Sequence, residues 1–431
     1  MTKLAIVGAG SSYTPLLIDH ILNSGLDQEV SEICLMDIDA GRLKAVHGFA
    51  QRLAEKSKSK LVLKATLNLN EAVKGAKIVV PQIRVGMMAA RRRDEELGRK
   101  YGIIGQETTG VGGFSKALRT IPQIRKIADA LQRHGAKDPW LVNFTNPVGI
   151  VTEALVRFHD IRAVGICNGS LTMHKGVSDL IGARMEDTEI DYVGPNHFAW
   201  VLDVRRNGRS VLGPVIKKLI EKEGLPTALN ITKVKMTPEI MARAKIIPTG
   251  YHKYFFHAGA VVKEDRSTPS RAEKVAEIER RIFAAYRSPG VSEIPEAVKE
   301  RGGAFYNVVA YDVIACLLGL QKKRVTVAVP NNGTYEGFEK DHVLEMPCLI
   351  DKGGYKPLKT AQLPVFARGL SQRIKAYEAL TAEAAWRCDF DLAYQALLLN
   401  PLTPDADVTF RLLKEVLARN KAFLPAYKGA R

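Results

Sequence analysis

Apolar positions along this chain change period several times, and the changes lay out its elements. Residues 3–8, "KLAIVG", are a short apolar run broken by glycine, as in a buried strand. "SSYTPLLIDHILNSG" then takes helical spacing, with Thr14 as candidate N-cap and Pro15 at the first helical position. "EICLMDID" predicts a second buried strand ending in acids, "AGRLKAVHGFAQRLAEKS" an amphipathic helix, and "AKIVVPQIRVG" a third strand. "SKALRTIPQIRKIADALQRHG" reads as a long helix. "PWLVNFTNPVGIVTEALV" reads as a strand, a turn at Asn146-Pro147 and another helix. Strand and helix alternate to about residue 170, which predicts an α/β fold with a doubly wound parallel sheet.

Beyond that point the regularity decays. Residues 171–330 read mainly as helix, interrupted by strand-like "EIDYVGPNHFAWVLDVRRNG". "KRVTVAVPNNGTYEGFEKDHVLEMPCLIDKGGY" predicts antiparallel strands with an Asn-Gly turn, and the C-terminal stretch returns to helical periodicity. With no repeat or clean linker, the second half reads as one α+β domain packed on the first.

Composition narrows the class. A chain of 431 residues, 46% hydrophobic and 25% charged, suits a globular enzyme of two or three domains. The opening "MTKLAIVGAGSS" is too short for a signal peptide, and no apolar run approaches the ~20 residues of a membrane helix. Cys34, Cys167, Cys316, Cys348 and Cys388 form no CxxC pair, which points to a reducing cytoplasm and leaves any special cysteine as ligand or nucleophile. The formal charge of +17 suits an anionic small molecule or plain solubility better than nucleic acid. Its densest run, "ARRRDE", is answered at once by acids.

Four stretches carry candidate chemistry. Gly8, Gly10, Ser11 and Ser12 lie between a strand and a helix, where glycines let backbone approach a pyrophosphate on the helix N-terminus. Tyr13 replaces the usual third glycine. Asp37, ending the second strand, can accept from ribose hydroxyls and favours NAD over NADP, with Asp39 its rival. Cys167 and His197 stand at two strand-to-turn positions; a thiolate and an imidazole suit a divalent transition metal, although a small buried hydrophobe and a structural histidine would look alike. The glycine-rich "YGIIGQETTGVGGF" suits a loop closing over a ligand. "IIPTGYHKYFFH" offers tyrosines and histidines that could serve as a base if a cation lowers their pKa, or as core packing.

Together, "IVGAGSSYTP", "GIIGQETTGVGGFSKALRTIP", "NFTNPVGIVTEAL", the Cys-Asn pair, "PNHFAW", "RGGAFYNVVA" and "YEALTAEAAWRCDFDLAYQALLLNPL" resemble the NAD- and metal-dependent glycosidases of glycoside hydrolase family four. The resemblance runs the whole length. It implies a Rossmann-like NAD-binding domain over 1–170, akin to lactate and malate dehydrogenases, and an α+β catalytic domain over 171–431. It implies that Cys167 and His197 hold Mn²⁺ and that hydride leaves C3 of the sugar for NAD⁺. The acidified C2 proton then goes to a base, the aglycone is eliminated, water adds and the hydride returns. This departs from the usual two-carboxylate hydrolysis.

By the same resemblance Tyr251 falls at the C2 base, with Tyr254 the alternative, and Arg91 and Asn146 at contacts to sugar hydroxyls. Glu107 falls near the metal and its water. Asn168 stands where members acting on α-glucosides often carry an acidic aspartate, so the Cys-Asn pair resembles the β-glucosidase branch, with 6-phospho-β-glucosides the expected substrates. Gly169-Ser170 and Asn307 depart from that branch's usual residues. A homodimer or homotetramer is implied as well. Two other classes fit parts of the sequence: a 2-hydroxy acid dehydrogenase, which lacks here a Gly-x-His-Gly motif, and a basic nucleic-acid-binding protein with a Rossmann core.

Overall fold

The computed structural model describes residues 2–222, 224–227, 231–303 and 305–429. Six strands, β1 (Thr2–Val7), β2 (Val30–Met36), β3 (Val62–Thr66), β4 (Ile78–Pro81), β5 (Trp140–Asn143) and β6 (Arg162–Gly165), lie in the order β3-β2-β1-β4-β5-β6. All pair parallel. This is the doubly wound order, whose ligand crevice opens at the carboxyl ends of β1 and β4 where the winding reverses. Along β1 the side chains alternate between two cores: Leu4 and Ile6 pack in one, Ala5 and Val7 in the other. Coverage on both faces is why these strands read as unbroken apolar runs.

A second sheet of β7 (Thr188–Val193), β8 (Trp200–Arg206), β9 (Arg209–Ser210) and β10 (Ile247–Pro248) is antiparallel. Strands β11 (Lys323–Pro330), β12 (Val343–Asp351) and β13 (Gly354–Pro357) then return to the first sheet and extend it, antiparallel, beyond β6. The second half of the chain thus completes the sheet that the first half begins. A bridge between Gly194 and Glu345 ties the end of β7 to β12.

Three local expectations change. The first helix, Thr14–Asn23, starts at Thr14 itself, because Tyr13 already has φ −93° and ψ −15° and takes the N-cap position. The Thr14 hydroxyl instead accepts from the Gln82 amide. Asn332 and Gly333 do turn with positive φ, but inside the 331–342 connection, which the Asn331 side chain ties to Tyr335 and Phe338. The tight turn of this region joins β12 to β13 instead. The stretch 101–114 is no mobile lid: its last residues are the first turn of the long helix Gly110–His134, and Glu107, Thr108 and Thr109 are buried. A Cβ on Gly112 would stand 2.3 Å from the Gly105 carbonyl oxygen, so glycine there lets residues 105–109 fold back onto the helix.

Gly8 ends β1 at φ +86°, and a Cβ on it would meet the backbone of Gln82 and Ile83 at 3.0 Å. Gly8→Ala is expected to cost about 1–2 kcal/mol of stability, measured as a lower midpoint in denaturant unfolding at unchanged m-value. None of the described helices is long and apolar enough to cross a membrane.

Candidate active site

The crevice predicted by the strand order is a cavity of about 810 Å³. Gly8, Gly10, Ser11, Asp37, Ile38 and Asp39 line one end, and Lys116, Thr145 and Asn146 the other. The turn after β1 is held by two N–H donors, from Gly8 and Ala9, on the Met36 carbonyl at 2.8 Å. Asp37 accepts from the Gly10 N–H at 2.7 Å and from the Asp39 N–H at 2.9 Å. Asp39 caps the helix Ala40–Ser57 through the Arg42 N–H. The two acids therefore have distinct tasks, Asp37 bracing the glycine turn and Asp39 starting a helix. Ser12 is buried and does not line the cavity itself; its hydroxyl donates to Glu279, which does, and its carbonyl accepts from Tyr286.

Next to the cavity-lining Arg84 and Lys116 lies Glu107. Arg84, Arg91 and Lys116 all pair with it, Arg91 at 3.0 Å and Lys116 at 3.1 Å. Burial alone would raise its pKa, but these three cations hold the carboxyl well below the ordinary range. Arg91 also pairs with Glu95 at 2.8 Å, one turn along its helix Met87–Tyr101. Its neighbours fan away as helix geometry requires: Arg92 is exposed and pairs with Glu96, and Arg93 lies 6.0 Å from the centroid of the Phe423 ring. The buried Arg119–Asp94 pair, 2.6 Å, fastens this helix to Gly110–His134 and so fixes Arg91 and Lys116 around Glu107.

Cys167 and His197 do meet. One follows β6 and the other sits between β7 and β8, and Sγ and Nε2 are 3.7 Å apart. His197 takes φ +64°, a left-handed backbone uncommon for a side-chain-bearing residue. Its Nδ1 is buried with no partner among the described residues. Burial, then Lys116, pushes the imidazole down to about 3; burial, then Glu345, pushes the Cys167 thiol up to about 12. Asn168 occupies the N-cap position of the helix Gly169–Leu180, its carbonyl accepting from Thr172.

Tyr251 stacks on the His197 ring with centroids 4.2 Å apart, and Thr108 and Glu107 are near enough to act on its phenol. Burial and then Cys167 raise its phenol well above the ordinary value. Tyr254 is engaged elsewhere: its hydroxyl accepts from the Thr232 N–H at 3.2 Å. The Asn146 side-chain oxygen Oδ1, on the cavity wall, is buried and has no partner among the described residues.

The fold also brings in residues that sequence reasoning passed over. Arg84 and Lys116 lie in segments that read as strand and helix, where nothing in the sequence distinguishes them from ordinary surface cations. Glu345 arrives on β12 close to the His197 backbone, and burial pushes its carboxyl up to about 8. Arg271 and Arg301 each bury an Nε without a partner among the described residues, and Arg301 lines the cavity. Their sequence separation from the rest left no signal. Among the described residues no group of three or more His, Cys, Asp and Glu is arranged to hold a metal, so Cys167 and His197 stand as a pair.

Comparison with known proteins bears on the whole assembly. Residues 3–183 match the family described as Family 4 glycosyl hydrolase, and residues 192–403 its C-terminal domain. A probable 6-phospho-beta-glucosidase of Bacillus subtilis (strain 168) is 36% identical, over 99% of this chain and 98% of its own. The structure of the Thermotoga maritima 6-phospho-beta glucosidase with manganese, NAD+ and glucose-6-phosphate superimposes with a TM-score of 0.90 at 32% identity, covering 99% of this chain and all of that one. A malate dehydrogenase of Plasmodium falciparum, at 14% identity and TM-score 0.55, shares the fold alone. The resemblance read from the motifs and the Rossmann-like sheet are therefore both borne out, and this chain belongs to family 4 of the glycosyl hydrolases.

Proposed function

We propose that this chain is a 6-phospho-β-glucosidase that uses NAD and a divalent metal, Mn²⁺ by analogy with its relatives. The observation that carries the reading is the thiol–imidazole pair, 3.7 Å apart, with Tyr251 stacked on the imidazole, in a chain whose strand order opens a dinucleotide crevice. Both groups fit their assigned ligands. At 3.7 Å the Cys167 sulfur and the His197 nitrogen are close enough that both would hold one divalent ion, which thiolate and imidazole donors suit. The glycine turn, Gly8, Gly10 and Ser11, lines the crevice, and a Cβ on Gly8 would press on the Gln82 and Ile83 backbone, so glycine is what lets the turn pass this closely.

In this reading Cys167 and His197 hold the metal, Gly8, Gly10 and Ser11 the dinucleotide phosphates, and Asp37 the ribose. Ser12 could contribute only through its backbone. NAD supplies a reversible hydride acceptor and the metal polarises the sugar oxygens. The chain's own residues do the rest. Tyr251 takes the C2 proton; a bound cation beside Cys167 offsets the burial that otherwise keeps its phenol protonated. Asn146 presents an unpartnered acceptor to a sugar hydroxyl, and Arg91 adds donors left over from its carboxylates. Glu107, ionised among three cations, anchors these groups and is unfit to donate a proton. Asn168 likewise cannot protonate a leaving group, which suits β-glucosides carrying good leaving groups. Arg271 and Arg301, with unpartnered Nε atoms, are the proposed phosphate contacts.

The proposal includes a cytoplasmic setting, consistent with five unpaired cysteines, and a homodimer or homotetramer, which light scattering measures. The assignment of the base has a direct test. Tyr251→Phe is expected to slow exchange of the substrate C2 proton with deuterated solvent by at least about 10²-fold, whereas Tyr254→Phe leaves it near the wild-type rate. The reverse pattern would move the base to Tyr254.

A further inference from the structure

This function leaves one proton without an acceptor. Oxidising the C3 hydroxyl of a bound sugar releases a hydride and a proton, while Tyr251 is committed to the carbon beside it. Few groups in reach can take it. His197 is a ligand, and Arg84, Arg91 and Arg301 stay charged. Glu107 faces three cations and is a correspondingly weak base. Asp37 and Asp39 line the other end of the cavity and are bound to backbone N–H groups.

Lys116 remains. It projects from the second turn of the helix Gly110–His134, with its side chain 4% exposed, and lines the cavity at the same end as Asn146. Its ammonium pairs with Glu107 at 3.1 Å. Burial, then the neighbouring Arg84, pushes it down to about 7, so a neutral amine is populated at physiological pH.

We propose that Lys116 is the catalytic base that takes the C3 hydroxyl proton during hydride transfer and returns it when the ketone is reduced. The proposal rests on the reading of the site as an NAD-dependent glycosidase. As the O–H bond breaks, an N–H bond forms on Nζ. The C3–H pair leaves as hydride for the nicotinamide, the C3–O bond becomes a carbonyl, and the new ammonium is neutralised by Glu107. The closing step reverses each change, so no oxidant is consumed overall.

A lysine that only neutralised Glu107 would be replaceable by arginine. The test therefore compares Lys116→Arg, Lys116→Met and Lys116→Ala in enzyme loaded with NAD⁺ and Mn²⁺, using 4-nitrophenyl β-glucoside 6-phosphate. Single-turnover formation of reduced nicotinamide should slow by about 10²- to 10⁴-fold in all three. Deuterium at C3 should then slow it further, and methylamine should restore Lys116→Ala in proportion to its concentration. In cofactor-free protein, reductive methylation at neutral pH should label Lys116 ahead of the exposed lysines, and NAD⁺ should protect it. A Lys116→Arg variant at full rate, or a Lys116→Ala variant that binds NAD⁺ and Mn²⁺ normally but ignores methylamine, overturns the proposal alone. Wild-type turnover that needs no NAD⁺ overturns the reading of the site and this proposal with it.

Discussion

Cys167→Ser and His197→Ala should each lower Mn²⁺-stimulated turnover by more than about 100-fold, with the fold and NAD⁺ affinity retained. Even partners of metal ligands are commonly worth 10–100-fold, and these are the ligands themselves. The two donors start from opposite protonation states. With its pKa pushed down to about 3, His197 is neutral across the working range; with its pKa pushed up to about 12, Cys167 still carries its proton. Binding must therefore release one proton, from sulfur. Mn²⁺ affinity should rise about tenfold per pH unit between pH 6 and 8, and fall in acid because protons compete for the thiolate. Oxidising the thiol should have the same effect as the Cys167→Ser change. Metal titrations followed by electron paramagnetic resonance check all three. Normal Mn²⁺ affinity in either variant, or affinity indifferent to pH, would contradict the pairing.

The second large effect concerns the substrate's charge. 4-Nitrophenyl β-glucoside 6-phosphate should be turned over at least tenfold more efficiently than the unphosphorylated glucoside. The other arginines near the cavity have carboxylate partners: Arg84 and Arg91 share Glu107 with Lys116, Arg91 also pairs with Glu95, and Arg301 pairs with Glu279 at 2.7 Å. Arg271 has no carboxylate partner among the described residues; one of its N–H groups goes to the Arg301 carbonyl, and its buried Nε is unpartnered. A charge-assisted contact with a phosphate there is worth about 1.5–3 kcal/mol, or roughly 10- to 150-fold. Arg271→Met should accordingly erase most of the preference by raising KM for the phosphorylated substrate alone. The kcat/KM ratio of the two substrates, in wild type and variant, measures it. A ratio near one in the wild type would remove the phosphate from the account and leave the redox chemistry untouched.

The sequence made the crevice legible because its parts are local. Gly8, Gly10 and Asp37 lie within one strand–helix–strand unit, and periodicity alone places that unit. The thiol–imidazole pair was readable only as two suggestive turns; their meeting depends on β7 being tied to β12 through Gly194 and Glu345, a contact that spacing does not encode. β3 passed unread because its edge position leaves Val62 exposed and its side chains mixed. The glycine-rich stretch looked like a lid for the same reason that it is none: the glycines that suggest mobility serve close packing against Gly105 and Thr108. Lys116 shows the limit most sharply. Nothing in "GGFSKALRT" separates a buried cation from a solvated one; only the fold puts Glu107 and Arg84 around it.

The central claim is that the glycosidic bond breaks by oxidation and elimination rather than by displacement at C1. It is tested most directly by hydrolysing 4-nitrophenyl β-glucoside 6-phosphate in deuterated water, with NAD⁺ and Mn²⁺ present or withheld, and reading the product by NMR. The account predicts glucose 6-phosphate carrying deuterium at C2, formed only when both are present. Product with its C2 proton intact, released at an undiminished rate without NAD⁺, would contradict it.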